Sequence, residues 1–414
     1  MRVLDVLAVP VRSGFFRDDQ ASIREGAAHD GFLYEGGPRT PGFHAVREAG
    51  VAVSIMLLLE NGRVAYGDCA EVQYAGVGGR APLIDPWALV GEIDRVLQPA
   101  LLGRDITGFR EVGDEVDALQ VKGQPLSTPL RYGISQALLD AAAQAAGLTM
   151  AEVVRDEYVT GVTLAPVPLY AQSGDERYTN VDKMITKQVD VFPHGLINTV
   201  EGKLGADGRL LLDYVGWVRD RIVALGAPGF APVIHIDVYG TVGIIFEGDL
   251  DRIATYLDAL RQRAAPFPLR LEHPVDAGGR DAQIETYVKL RALLVDRGIQ
   301  VELVADEWCN TLDDIRAFVA AGAADMIQVK TPDLGGVGNV IEALLDVRRA
   351  GVGAFCGGTC NETDVSARVS AHIAMACGAS QVLAKPGMGV DEGVMLVGNE
   401  MTRVAALAKA RQTV

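Results

Sequence analysis

Two kinds of hydrophobic patterning divide the chain. Residues 51–75 read VAVSIMLLLENGRVAYGDCAEVQYA, two β-rich runs joined by Asn61-Gly62. That dipeptide favours a type I′ hairpin, whose two central residues both need positive φ, so an antiparallel pair is predicted to turn there. Leu, Ile, Val and Ala then recur at helical spacing over 85–102 and 127–146. Residues 1–160 therefore read as a small α+β domain ahead of the rest.

From Pro166 onward the pattern becomes strand, loop, helix, repeated. Leu211, Val215, Val218, Ile222 and Leu225 follow a helical period, and Leu250, Ile253, Leu257 and Leu260 do so again. Candidate strands fall at 167–172, 191–198, 232–238, 268–273, 301–306, 325–330, 352–357 and 380–384. Eight strands alternating with helices predict a TIM-type (β/α) barrel over 161–414. The second candidate, VFPHGLIN, is the most weakly marked.

Four of these strands end in residues with metal or proton chemistry. PVIHID ends at Asp237, PLRLEH carries Glu272, VELVAD ends at Asp306 and MIQVK ends at Lys330. A βα unit takes about 25 to 35 residues, so this spacing puts one side chain per consecutive strand at the same rim. Residues i and i+2 of a strand share a face, pairing Asp237 with His235, Glu272 with Arg270 and Lys330 with Gln328. Polar pairs inside a barrel are costly unless they bind something or one another. Ile236, Leu271 and Val329, between them, are predicted to pack against the outer helices.

Three acids supply only oxygen ligands, which suits a hard cation such as Mg²⁺. Any one of them alone also reads as a solvated rim residue; three at matched spacing would repel without a cation. Lys330, otherwise an ordinary surface lysine, is placed where a nearby cation disfavours its ammonium form and suits the amine to act as a base. His194, near the end of the second strand, reads as a structural histidine or as a group facing Lys330 across the mouth. Thr359, Cys360 and Asn361 sit at a strand-to-helix turn that fits an anion, while Asn361 equally fits a simple N-cap. Cys360 has no histidine partner nearby in sequence that would make it a nucleophile. The glycine clusters 76–80 and 334–339 lack the context of a dinucleotide fingerprint. The first, with Gln73 at its base, reads as a lid.

Composition narrows the partners. Of 414 residues 49% are hydrophobic, enough for a sizeable core, and the net charge of −16 argues against nucleic acid or an anionic membrane. Five cysteines without a CxxC disfavour disulfides and structural zinc, and the N-terminus lacks a secretory pattern, so a cytoplasmic location is expected.

The segments GFFRDDQ, GDCAEVQYAGVGGR, AQSGDERYTNVDKMI, HIDVYGT, LVADEWCNT, QVKTPDLGGV, FCGGTCNET and LAKPGMGVDEG together resemble the methylaspartate ammonia-lyase family of the enolase superfamily, over essentially the whole chain. The resemblance implies elimination of ammonia from L-threo-3-methylaspartate to mesaconate, in amino-acid and glutamate fermentation. It implies a required Mg²⁺ on Asp237, Glu272 and Asp306, K⁺ as activator, no organic cofactor and a homodimer with an N-terminal capping domain. Lys330 would take the (S)-configured C3 proton and His194 would act on the opposite face. Gln172, Gln328, Thr359 and Cys360 match residues that hold the substrate carboxylates. Gln73 and Leu383 match residues around the amine and the alkyl group. His273, after Glu272, departs from the small residue expected there and adds a titratable group near the metal. A racemase or acid-sugar dehydratase of the same superfamily is the nearest alternative. The muconate-cycloisomerase type would want a Lys-x-Lys pair on the second strand, where this chain has His194 and only the distant Lys203. A non-catalytic binding barrel has little reason to face a metal cluster with a lysine.

Overall fold

A computed structural model describes residues 1–73 and 82–412. The suggested lid at 76–80 lies outside the described residues. In the N-terminal part, strands Val3–Asp18, Arg47–Leu59 and Val64–Cys69 form an antiparallel sheet with 47–59 in the middle. The hairpin forms where predicted but not with the predicted turn. Gly62 has φ +78° while Asn61 is not among the residues with positive φ, and Arg63 O accepts from Leu59 N–H at 2.9 Å. The loop is one residue longer than a type I′ turn, so a single left-handed glycine suffices.

Helix Thr128–Ala146 lies on this sheet and is buried along most of its length. Two glycines permit the contact. A Cβ on Gly67 would stand 2.1 Å from Gly133 O, and one on Gly133 would stand 2.5 Å from Cys69 Sγ. Only hydrogen fits at such a crossing.

Among the described residues, eight parallel strands close a barrel: Leu169–Tyr170, Val191–His194, Val233–Asp237, Leu269–Glu272, Glu302–Ala305, Met326–Val329, Gly353–Cys356 and Gln381–Leu383. They are joined in chain order around the ring, so the second strand lies opposite the sixth. Each sits within its predicted range. The second stops at His194 because His194, Gly195 and Leu196 take φ of +68°, +81° and +49°, which is not strand geometry.

Alternation sorts the side chains as expected. Tyr170, Val191, Val304, Met326, Phe355 and Leu383 form a small inner core. Ile236, Leu271 and Val329 join the large core shared with the surrounding helices. Among the described residues, no single helix is long and apolar enough to cross a membrane.

The N-terminal part reaches the barrel mouth through the turn in its first strand. Gly14 N–H donates to Glu362 O at 2.8 Å, and Ser13 Oγ lies 3.2 Å from Asn361 Oδ1. A Cβ on Gly14 would lie 2.3 Å from that of Pro386, so backbone meets loop directly.

Candidate active site

Asp237, Glu272 and Asp306 end the third to fifth strands or follow them by one residue, and each offers an oxygen within 4.8 Å of the others. All three are buried. Burial, then the charges of Asp237 and Asp306, push the Glu272 carboxyl well above the usual carboxylate range. Anionic groups crowded this way repel unless a cation joins them. The donor set is all oxygen, with neither thiolate nor imidazole in the cluster, which fits a hard divalent cation.

Lys330 follows the sixth strand by one residue. Its Nζ lies 2.7 Å from Asp306 Oδ1 and 2.8 Å from Oδ2. An oxygen of Asp306 given to a cation is no longer fully available to Lys330, so loading the cluster competes with this ion pair.

His194 turns into the mouth through its positive φ, a conformation rare outside glycine and concentrated at functional sites. Its Nδ1 accepts from Leu196 N–H at 3.2 Å, which leaves Nε2 facing Asp237 Oδ2 at 3.3 Å and the Tyr239 hydroxyl at 3.5 Å. Lys330 and His194 line one cavity of ≈ 330 Å³ from opposite strands, together with Gln172, Gln328, Gln73, Thr359 and Cys360.

The loop after the seventh strand meets the N-terminal part here. Gln73 N–H donates to Thr359 Oγ1 at 3.1 Å, and Gln73 Oε1 accepts from Asn361 Nδ2 at 2.8 Å. Burial pushes the Cys360 thiol up to about 12, so it stays a neutral group 3.6 Å from the same Gln73 oxygen.

Asn361 is not an N-cap. Helix Asp364–Cys377 begins later and is capped by Thr363, whose hydroxyl and backbone form a capping box with Ser366. Asn361 is instead fully buried and orients Gln73. Two suggested site residues are absent from the cavity lining: Glu272, buried behind it between His235 and Gln328, and Leu383, which packs in the inner barrel core with Tyr170 and Phe355. His273 takes φ +48° and directs Nδ1 at Glu307 Oε2, 3.2 Å away.

Several cavity residues escaped the sequence reading. Lys203 is distant in sequence but lines the same cavity, its Nζ held by Asp175 at 2.8 Å and Asn198 at 2.9 Å. The buried pair Arg47 and Asp18, joined at 2.7 Å, forms part of the outer wall.

Together these define a (β/α) barrel with three acids of consecutive strands at its mouth, beside a lysine and a histidine on opposed strands and under an N-terminal α+β part. Family models described as methylaspartate ammonia-lyase N-terminus and C-terminus match residues 1–159 and 161–410. The chain belongs to the methylaspartate ammonia-lyase family. It is 53% identical over 413 residues, covering 100% of both chains, to methylaspartate ammonia-lyase of Clostridium tetanomorphum. The crystal structure of beta-methylaspartase from that organism, an Mg complex, superposes with a TM-score of 0.95 over 99% of this chain and 100% of the other. The Citrobacter amalonaticus enzyme containing (2S,3S)-3-methylaspartic acid is 48% identical, with a TM-score of 0.97 over 99% and 100% of the two chains. Muconate lactonizing enzyme from Pseudomonas putida, at 18% identity and TM-score 0.60 over 91% and 85%, shares the fold alone.

Proposed function

We propose that this chain eliminates ammonia from L-threo-3-methylaspartate to give mesaconate, with Mg²⁺ held by Asp237, Glu272 and Asp306. One observation carries the reading: Asp237 and Asp306 of the three-carboxylate cluster line one cavity with two candidate proton-transfer groups, Lys330 on one side and His194 on the other. The names of the close relatives support the substrate.

The C3 proton lies α to a carboxylate and is very weakly acidic, and its removal adds negative charge to that carboxylate. When bound, Mg²⁺ supplies positive charge that lowers this barrier. Lys330 Nζ takes the proton from C3 of the (2S,3S) substrate. The electron pair released becomes the C2–C3 double bond, the C2–N bond breaks and ammonia leaves. His194 addresses the opposite face of C3, and so the (2S,3R) epimer. The amides of Gln172 and Gln328, the Thr359 hydroxyl and the Cys360 thiol supply hydrogen-bonding groups for the substrate carboxylates. Gln73, whose side chain Asn361 orients, is assigned to the substrate amine.

The division at residue 160, with the N-terminal part acting as a cap, belongs to the same proposal, as do K⁺ activation, a homodimer, a cytoplasmic location and a place in glutamate degradation. A racemase or dehydratase would act without releasing mesaconate. The test is the absorbance of mesaconate formed from 3-methylaspartate, with and without Mg²⁺. Activity that needs Mg²⁺ and is removed by a chelator is expected; a failure to make mesaconate at any Mg²⁺ concentration overturns the reading.

A further inference from the structure

The barrel interior beneath the carboxylates holds a polar chain that the elimination itself does not use. His235, on the third strand two residues before Asp237, is fully buried, with its ring stacked on Tyr170 at 4.4 Å and 9°. Its Nε2 lies 2.8 Å from Glu272 Oε2 and its Nδ1 lies 3.2 Å from Gln381 Nε2. Gln381, on the eighth strand, is also fully buried, and its Oε1 accepts from Arg270 Nη1 at 2.6 Å.

The direction of every bond follows from Arg270. A guanidinium only donates, so the Gln381 atom facing it is the carbonyl oxygen. The amide nitrogen of Gln381 must then face His235, and an amide N–H only donates. His235 Nδ1 is therefore an acceptor, and the ring is neutral with its proton on Nε2. That proton points at Glu272 Oε2. The other oxygen, Oε1, accepts from Nε2 of Gln328, which lines the cavity.

We propose that His235 is a positioning residue for the metal site: Arg270 and Gln381 fix its tautomer, and its Nε2–H fixes the plane of the Glu272 carboxylate. The proposal rests on reading Glu272 as a metal ligand. Groups that hydrogen-bond a metal ligand in this way orient it, and losing one typically costs about 10 to 100-fold in metal affinity or activity. A histidine placed only to fill space would have neither effect.

The tautomer is read first, on ¹⁵N-labelled metal-free protein, by long-range ¹H–¹⁵N correlation. The chain has six histidines, and the His235 signal is the one lost in H235Q. A neutral ring protonated at Nε2 is expected; an Nδ1–H tautomer or an imidazolium overturns the relay. Mg²⁺ affinity is then measured by calorimetry. H235F keeps a ring in place but has no donor, and its Kd for Mg²⁺ should rise about 10 to 100-fold. H235Q, whose amide can donate to Glu272, should recover most of that loss, and excess Mg²⁺ should restore kcat in H235F. Wild-type Mg²⁺ affinity in folded H235F overturns the proposal. If H235F does not fold, Gln381→Met decides: mixed tautomers and weaker Mg²⁺ binding support the relay, while an unchanged tautomer and affinity overturn it. A wild-type protein that takes up no Mg²⁺ would defeat the ligand reading itself, a result distinct from failure of the relay.

Discussion

Lys385 follows the eighth strand by two residues and is fully buried. Its ammonium has three N–H groups, and each finds an acceptor: Glu362 Oε1 at 2.6 Å, Gly357 O at 2.8 Å and Thr331 Oγ1 at 2.9 Å. Glu362, equally buried, accepts from the Tyr132 hydroxyl at 2.9 Å and from Thr331 Oγ1 at 2.8 Å. This network joins the residue after Lys330, the loop that carries Thr359 and Cys360, and the long helix of the N-terminal part. Lys385→Met fills the same space and leaves Glu362 charged, buried and without its counter-ion. Removing one partner of such a pair costs about 3 to 5 kcal/mol, because the other charge stays desolvated. Adding Glu362→Gln removes the stranded charge, so the double variant should regain most of the loss. Denaturant unfolding of wild type, both single variants and the double variant measures the cycle, and kcat reports whether Thr331 and the loop still hold the mouth. A single variant within about 1 kcal/mol of wild type would refute the reasoning. So would a double variant no better than Lys385→Met.

Three further outcomes follow from particular residues. Asp306→Asn replaces one of three anionic ligands by a neutral amide and should weaken Mg²⁺ binding enough to abolish elimination while the protein still folds; full activity at ordinary Mg²⁺ would remove Asp306 from the site. Leu383→Ala empties part of the inner barrel core, with an expected cost of about 2 to 5 kcal/mol, and should admit bulkier aspartate derivatives; an unchanged substrate range in the folded variant would assign the size limit to the cavity lining instead. Burial raises the Glu71 carboxyl to about 7, against the lowering effects of Ile84 N–H and Arg17. A carboxyl raised on folding stabilises the protonated protein, and that contribution is lost as pH rises from the ordinary carboxylate range through about 7. Glu71→Gln should therefore flatten the fall in unfolding midpoint over this window, and an unchanged slope would contradict the assignment.

The barrel was legible because four consecutive strands, the third to the sixth, combine a short apolar run with a polar residue at a fixed end, and the helices between keep their period. The carboxylate cluster was legible for the same reason. The first strand, Val3–Asp18, was not: Pro10 and the register shift between Arg12 and Phe16 interrupt the alternation that marks a strand. Asn361 was ambiguous because a residue three positions before a helix and a residue holding a distant glutamine look alike in one dimension. Lys385, Glu362, Gln381 and His235 carry no sequence signal of burial. Their partners come from strands and loops that meet only when the barrel closes, so their roles depend on register around the ring. Lys203 likewise became a cavity residue only through the path of the loop after the second strand.

Lys330 and His194 are proposed to serve opposite faces of one carbon. This is tested most directly by mesaconate formation from (2S,3S)- and (2S,3R)-3-methylaspartate with Lys330→Ala and His194→Ala. A base removes only the proton within its reach, so Lys330→Ala should lose the (2S,3S) reaction by several orders of magnitude. His194→Ala should mainly reduce the (2S,3R) reaction and any exchange of the C3 proton on that face. Equal losses on both epimers in both variants would contradict the account, because the two residues would then be acting as one unit.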